Sequence, residues 1–321
     1  MKLKGMGVSL PISDTTSNLE KLKTKLHKIA ELGFETVELP VQAMNILKNG
    51  MIDRDRLTAY RRLLGGFPLR YTTHAPFDVN LFRQGDASAD ERCLLASVEI
   101  SGTIGAEVMV YHVGRFVGEE EFLFPQVWRK HSSEEKAELM LRERQWMIRA
   151  GDLGRECGVV IAMENMRPYL DCPDYAYSVI PHVLAEQLEE IGHSHVGAAL
   201  DTGHLALSVH MYGLDWHDEI EKLAPYVVHL HLHDNFGKAC FSTEKSQYDL
   251  TPLGRGDMHA PIGEGNLPFE LLAAGLRARF HGHVIHEIRD MYEPLWPELR
   301  ARYEKAFGPY QRGIREGAAL A

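Results

Sequence analysis

Short apolar segments alternate with longer amphipathic segments eight times along this chain of 321 residues. Nearly continuous apolar strands are typical of parallel sheets that are covered by helices on both faces. Eight strand–helix units are the number that closes a (β/α)₈ barrel, so we predict a single α/β barrel of this kind. An open doubly wound sheet is the alternative, but no G-x-G-x-x-G motif follows the first predicted strand. The predicted strands are Gly7–Leu10, Thr36–Pro40, Leu69–Thr73, Glu107–Tyr111, Val159–Met163, Val196–Leu200, Val227–Leu232 and His283–Ile285.

Helical periodicity fills the intervals between these strands and leaves two long connections. The connections are Val113–Ser133 and Asn235–Leu267, and both contain aromatic residues. Loops beyond about 15 residues are usually functional, so we expect both to belong to a site. We expect the barrel to span 1–312 and 313–321 to form a flexible tail. The predicted helices are Asn18–Leu32, Arg54–Leu64, Ala89–Ile104, Glu134–Glu156, Tyr175–Ile191, Trp216–Leu223, Pro268–Arg279 and Pro294–Phe307.

Charge and cysteine usage narrow the class of protein. The net charge of −10 gives no basic surface for nucleic acid or an anionic membrane. The four cysteines are far apart and form no C-x-x-C pair, which fits a reducing compartment. No apolar run approaches the ~20 residues that span a bilayer. We therefore expect a soluble cytoplasmic protein with no membrane partner. The charge disfavours nucleic acid without excluding it, because a bound metal cluster can supply local positive charge. The exposed helices are compatible with a homodimer.

The seventh predicted strand carries an unusual run of histidines. His229, His231 and His233 alternate with apolar residues, so they lie on one face of the strand, and Asp234 follows at once. A single buried histidine is more often only hydrogen-bonded. Three on one face that end in a carboxylate indicate a metal or catalytic site.

Six consecutive predicted strands end in a side chain that can bind a metal. In a barrel these ends converge on one mouth, where active sites lie. Three carboxylates buried together would raise one another's pKa, and a divalent cation removes that repulsion. Histidine and carboxylate donors without cysteine suit zinc, manganese, cobalt or iron(II). The strand ends are His74, His112, Glu164, Asp201, His231 or His233, and Glu287.

Five segments at these ends carry a family resemblance. They are Thr73-His74-Ala75-Pro76-Phe77, Met163-Glu164-Asn165, Asp201-Thr202-Gly203-His204, His231-Leu232-His233-Asp234 and Ile262-Gly263-Glu264-Gly265-Asn266. In this order they resemble the xylose isomerase-like TIM-barrel superfamily, from about Gly7 to Glu287. That superfamily includes sugar-phosphate isomerases and epimerases, and apurinic (AP) endonucleases of the endonuclease-IV type.

Resemblance to the epimerase branch implies one divalent metal held by Glu164, Asp201, His231 and Glu287. Glu164 and Glu287 would also be the catalytic acid/base pair that moves a carbon-bound proton through an enediolate. The substrate would be a small sugar, keto-sugar or sugar phosphate. Strand register alone would also permit His233 as the ligand, and the family motif favours His231.

Resemblance to the endonuclease branch implies up to three metals and phosphoester hydrolysis. Its additional ligands would be His74, His112, His204, Asp257 and His259. Two features oppose DNA as the substrate: Val41–Ile52 has Lys48 as its one cation, and Glu119–Glu121 would repel a duplex. A third hypothesis is a metal-bearing barrel that binds a ligand without catalysis.

Four further residues are candidates for substrate binding. Arg167 and Arg289 follow two of the strand ends and could clamp a phosphate or carboxylate, or alternatively pair with a neighbouring carboxylate. Lys238 is a weaker candidate of the same kind. His229 and His233 are expected to support the ligands from beside His231, with His233 also a candidate substrate contact.

Overall fold

The computed structural model of the protein describes residues 1–244 and 250–317, with side chains through residue 308. Its centre is a closed barrel of eight parallel strands in which each strand pairs with its neighbours in the sequence and the last pairs with the first. The predicted fold class is confirmed. The strands are β1 (Lys2–Ser9), β2 (Thr36–Pro40), β3 (Arg70–His74), β4 (Ala106–His112), β5 (Val160–Glu164), β6 (Val196–Asp201), β7 (Val227–Leu232) and β8 (His281–His286).

Helices surround the barrel, and most lie within a few residues of the predicted bounds. They are α1 (Leu19–Glu31), α2 (Arg54–Leu64), α3 (Ser88–Ile104), α4 (Ser133–Cys157), α5 (Pro181–Ile191), α6 (Thr202–Tyr212), α7 (Trp216–Leu223), α8 (Phe269–Leu276) and α9 (Trp296–Gly317). A helical turn at Asp14–Ser17 precedes α1. No helix among the described residues is long and apolar enough to cross a membrane.

Three helix predictions differ from the structure. Helix α6 was not predicted because Thr202–Val209 is buried throughout, so the segment lacks an amphipathic period. Helix α5 begins at Pro181 rather than at Tyr175, since proline favours the first helical turn and disfavours a helical residue before it. Helix α9 continues beyond Phe307 to Gly317; residues 318–321 lie outside the described part of the chain, so a flexible tail stays a prediction.

The register of the barrel places metal-binding side chains beside one another. His112 lies opposite Glu164 across the β4–β5 pair, and Asp201 lies opposite His231 across the β6–β7 pair. All strands run the same way, so these side chains share one rim. We call this rim, formed by the carboxyl ends of the strands, the mouth.

Two buried charged residues fix the long loop after β4. Arg115 donates through its guanidinium to the carbonyls of Phe77 and Val79, which joins this loop to the one after β3. Glu143, on α4, accepts hydrogen bonds from the Tyr177 hydroxyl at 2.6 Å and the Gly114 amide at 2.7 Å. Because buried charges are costly without partners, these bonds specify where the loop crosses the mouth.

Candidate metal centre

Four side chains meet at the centre of the mouth. Glu164, Asp201, His231 and Glu287 each offer one donor atom, and these atoms lie within 4.8 Å of one another. His231 Nδ1 is 3.2 Å from Glu164 Oε1 and 3.2 Å from Glu287 Oε2. The four residues that resemblance to the epimerase branch implied are therefore brought together, and we call them the central group.

A carboxylate from β2 fixes the orientation of His231. Glu38 is buried, and its Oε1 accepts a hydrogen bond from His231 Nε2 at 2.8 Å. Its Oε2 accepts from His229 Nε2 at 2.9 Å. Because Nε2 of His231 bonds to Glu38, Nδ1 is the nitrogen directed at the central group, where it would bind a cation in its deprotonated form.

Two further histidines converge on Glu164. His74 Nε2 lies 3.3 Å, and His112 Nε2 3.2 Å, from Glu164 Oε2. The Phe77 ring stacks on His112 and meets His74 edge-on, with centroids 5.2 and 4.4 Å away. Glu164 thus faces His231 through one oxygen and this histidine pair through the other.

A third group lies on the other side of the mouth. His204 Nε2 is 3.2 Å, and His259 Nε2 2.8 Å, from Asp257 Oδ2. His233 adds a fourth possible ligand to this group, and its Nε2 also lies 2.9 Å from Asp201 Oδ2. His259 has φ 45°, a left-handed conformation that is uncommon outside glycine and is found where surrounding contacts require it.

Three of the histidines have the outer hydrogen bond that metal ligands ordinarily have. Nδ1 of His74, His204 and His259 donates to the carbonyls of Ala75, Asn165 and Glu287, each at 2.8 Å. In each ring the other nitrogen faces a carboxylate and is the atom that would bind a cation. Such an outer partner fixes the tautomer and ring direction of a ligand.

The donor chemistry therefore fits a divalent cation of the first transition row. The Oδ1 atom of Asp257 is also buried and accepts no hydrogen bond from the described residues. Buried carboxylate oxygens ordinarily have a partner, so this atom is an independent indication of a bound cation.

The carboxylates of the site are held in their ionised form. Burial raises the pKa of Glu164, but His231 and His112 outweigh that effect and hold the pKa well below its usual range. Burial likewise raises the pKa of Glu287, while His231 and His259 lower it to about 2. Both are carboxylates at neutral pH, which is the form that binds a cation or accepts a proton.

A polar cavity of about 240 Å³ opens over these groups. A neighbouring cleft of about 280 Å³ shares part of its wall and extends toward the end of β1. Ligand cavities of this kind surround a small molecule with a few convergent polar groups. The cavity is lined by Phe77, His112, Glu119, Glu164, Arg167, His204, Asp257, His259, Glu287 and Arg289.

The four candidate substrate contacts occupy different positions. Arg167 and Arg289 line the cavity. His233 is fully buried beside Asp201 and is not part of the cavity wall. Lys238 is exposed on the loop after β7 and does not line the cavity either.

Sequence reasoning missed Glu38 and the position of Glu119. Glu38 is a carboxylate within an otherwise apolar strand, and alternation along β2 could have indicated that it faces the barrel interior. Glu119 was expected only to repel a DNA duplex, whereas its side chain forms part of the cavity wall. No local pattern indicates this position, because it depends on the folding of the whole loop after β4.

The fold and this mouth define a (β/α)₈ barrel with a histidine–carboxylate centre. A family model described as xylose isomerase-like TIM barrel matches residues 26–312, so the chain belongs to that family. A search of curated protein sequences gave no significant match.

Solved structures of sugar epimerases share the fold. A D-tagatose 3-epimerase-like protein superposes with a TM-score of 0.70 at 20% identity, covering 97% of this chain and 99% of that one. An L-ribulose 3-epimerase superposes with a TM-score of 0.64 at 14% identity, covering 100% of this chain and 98% of that one. A 3-keto-D-glucoside 4-epimerase from E. coli superposes with a TM-score of 0.62 at 14% identity, covering 96% of this chain and 98% of that one.

Proposed function

We propose that this protein is a divalent-metal-dependent isomerase or epimerase of a small sugar, keto-sugar or sugar phosphate. The observation that carries the proposal is the convergence of Glu164 and Glu287 with Asp201 and His231 beneath a small polar cavity. Structural similarity to two sugar epimerases and to a D-tagatose 3-epimerase-like protein supports the proposal at the level of the fold.

Glu164 and Glu287 are proposed as the acid/base pair. They come from β5 and β8, three strands apart around the barrel, so they approach a bound substrate from different directions. One carboxylate removes a carbon-bound proton beside a carbonyl, and the other returns a proton to the opposite face of the resulting enediolate. Phe77 covers part of the cavity with an apolar ring and limits the access of water.

An ionised carboxylate is a weak base toward a carbon acid. A divalent cation in the central group would supply the missing driving force, because it polarises the carbonyl beside the carbon that loses its proton. Glu164, Asp201, His231 and Glu287 are the residues proposed to hold it.

The test is exchange of carbon-bound hydrogen with solvent deuterium. With metal-loaded protein and a panel of ketopentoses and ketohexoses, Glu287→Gln should lower exchange by roughly 10²-fold or more, since an amide cannot accept the proton. Because Glu287 is also a proposed ligand, the variant is assayed at saturating metal, and elemental analysis verifies that it is loaded. Glu264→Gln is the matched control, because Glu264 lies on the rim and pairs with Arg302. Exchange at the wild-type rate in Glu287→Gln would contradict the assignment.

A second candidate function is a multi-metal phosphoester hydrolase. The observation in its favour is that the three groups of donors adjoin one another and that Glu164 belongs to two of them. Within the described residues, all nine positions that resemblance to the endonuclease branch implied lie in this mouth. The intact set also disfavours a barrel that binds a ligand without catalysis.

Metal stoichiometry separates the two candidates. Elemental analysis of protein purified without chelator should give about one manganese, cobalt or zinc per chain for the epimerase. Close to three zinc or iron ions would favour the hydrolase. The double variant His112→Ala/His259→Ala should then lose metals and phosphodiesterase activity together, whereas an epimerase should keep the ion of the central group.

A further inference from the structure

The guanidinium of Arg167 is engaged by the protein on all three of its nitrogens. Nε donates to the Tyr169 hydroxyl at 2.7 Å. Nη1 lies 3.5 Å from Asp257 Oδ2, and Nη2 lies 3.5 Å from Glu119 Oε1. Bidentate capture of a phosphate needs two parallel N–H groups that face the ligand. Arg167 is arranged instead as a cation between two carboxylates.

Glu119 is held in the cavity wall from its other side as well. The Tyr175 hydroxyl donates to Glu119 Oε1 at 2.8 Å, and Tyr175 is fully buried. The Glu119 side chain is 18% exposed, so its carboxylate is a defined part of the wall rather than a mobile surface charge. Its neighbours Glu120 and Glu121 do not line the cavity.

Carboxylates outnumber guanidinium groups in the wall of the cavity. Glu119, Glu164, Asp257 and Glu287 line the cavity with Arg167 and Arg289. The neighbouring cleft adds Asp290 among largely apolar residues. Arg289 donates through Nε to the Met258 carbonyl at 3.2 Å, which directs part of its guanidinium toward the protein. A single divalent cation would offset the other two negative charges, so discrimination against a phosphate depends on the position of Glu119 rather than on the net charge of the wall.

This wall suits hydroxyl groups better than a phosphate. A sugar hydroxyl can donate to the Glu119 carboxylate and accept from a guanidinium. A phosphate carries close to two negative charges and offers acceptors alone, so it is repelled by Glu119 over several ångströms in a partly buried site.

We propose that Glu119 is a specificity-determining residue that selects an uncharged polyhydroxy keto-sugar over its phosphorylated counterpart. The inference rests on the proposed function and narrows its substrate class. Glu119 repels a phosphate through its negative charge and accepts a hydrogen bond from a sugar hydroxyl. Arg167 and Tyr175 hold its carboxylate in place in the wall.

The experiment compares kcat/KM for a ketohexose and for the same ketohexose phosphorylated at its terminal carbon, with metal-loaded protein. The wild type should prefer the uncharged sugar. Glu119→Gln should lower that preference roughly tenfold or more, because the amide keeps an acceptor for Tyr175 but removes the negative charge. Glu120→Gln is the matched control, because Glu120 lies next in the chain and pairs with Arg83 at the surface. It should leave the preference unchanged.

Calorimetric binding of both sugars to the wild type and to Glu119→Gln separates two kinds of failure. If the wild-type protein turns over both sugars and prefers the phosphorylated one, the inference is wrong and the epimerase proposal stands. An unchanged preference in Glu119→Gln also overturns the role of this residue. Selective binding of the uncharged sugar without turnover overturns the proposed function and supports the inference. Absence of both binding and turnover overturns both.

Discussion

The tautomer of His231 is determined by a residue on another strand. Glu38 accepts hydrogen bonds from His229 and His231 through separate oxygens, and the Thr72 hydroxyl donates to it at 3.0 Å. Burial raises the pKa of Glu38, but the two histidines hold the pKa well below its usual range. Glu38 therefore remains an acceptor at neutral pH, and Nδ1 of His231 remains directed at the central group.

Glu38→Gln tests this positioning role. Glutamine offers one acceptor oxygen to two imidazole N–H groups, so His231 should lose its fixed orientation. We expect metal affinity to fall roughly 10- to 100-fold, as for other partners of metal-bound histidine. Competition with a chromophoric chelator measures this directly. Glu35→Gln is the control, because Glu35 precedes the same strand and pairs with Arg300 at the surface. Affinity within twofold of wild type for Glu38→Gln would exclude the role.

Among elements, the loop after β7 depends on one buried carboxylate. Asp234 Oδ2 accepts from the amides of Gly263 at 2.8 Å and Gly265 at 3.0 Å, and Oδ1 accepts from Leu267 at 3.1 Å. The Asp234 backbone also pairs with Ala260, directly after His259. Closure of the loop on Asp234 thus positions Asp257 and His259 over the mouth.

Asp234→Asn should loosen this loop. If the amide oxygen keeps the place of Oδ1, the amide nitrogen places its hydrogens against the N–H groups of Gly263 and Gly265. Each lost bond to a charged acceptor costs about 1.5–3 kcal/mol. We expect faster amide hydrogen exchange for the peptide around 260–267, measured by mass spectrometry, with protection in β7 largely retained. Glu264→Gln in the same loop is the control. Wild-type protection in Asp234→Asn would show that other contacts hold the loop.

Elements were predictable from the sequence where local pattern and burial agree. Strand β2 and helix α2 match their predicted bounds because an apolar period and a capping Asp53 mark them locally. Helix α6 was missed because it is buried on every side. The loop after β4 was recognised as functional, but its path depends on Glu143 and Arg115, which contact residues far away in the sequence.

For the whole molecule, barrel closure is what made the site predictable. Residues as distant in sequence as Glu164 and Glu287 converge because parallel strands bring all their carboxyl ends to one rim. The strand pattern therefore predicted which side chains meet. It did not predict Glu38 or Glu119, which act through contacts with particular partners on neighbouring elements.

The same closure couples metal binding to global stability. The donors of the central group come from β5, β6, β7 and the segment after β8, so a cation held by them binds the folded chain and not the unfolded one. A ligand present at about 1,000 times its dissociation constant stabilises a fold by about 4 kcal/mol. We expect chelation to lower the melting temperature by roughly 5–15 °C, and added manganese or zinc to restore it.

Two variants test whether the stabilising cation binds at the mouth. Asp201→Asn should abolish most of the metal-dependent shift, because a neutral amide replaces a carboxylate donor while its oxygen still accepts from the His204 amide, as Asp201 does at 2.7 Å. His217→Ala should keep the full shift, since Asp215, His217 and Asp218 form an exposed group at the start of α7 that is separate from the donor groups of the mouth. Scanning calorimetry with and without metal measures both. The opposite result would be a loss of the metal-dependent shift in His217→Ala and its retention in Asp201→Asn. It would mean that the stabilising ion binds at the surface group, and the donors of the mouth would then need another explanation.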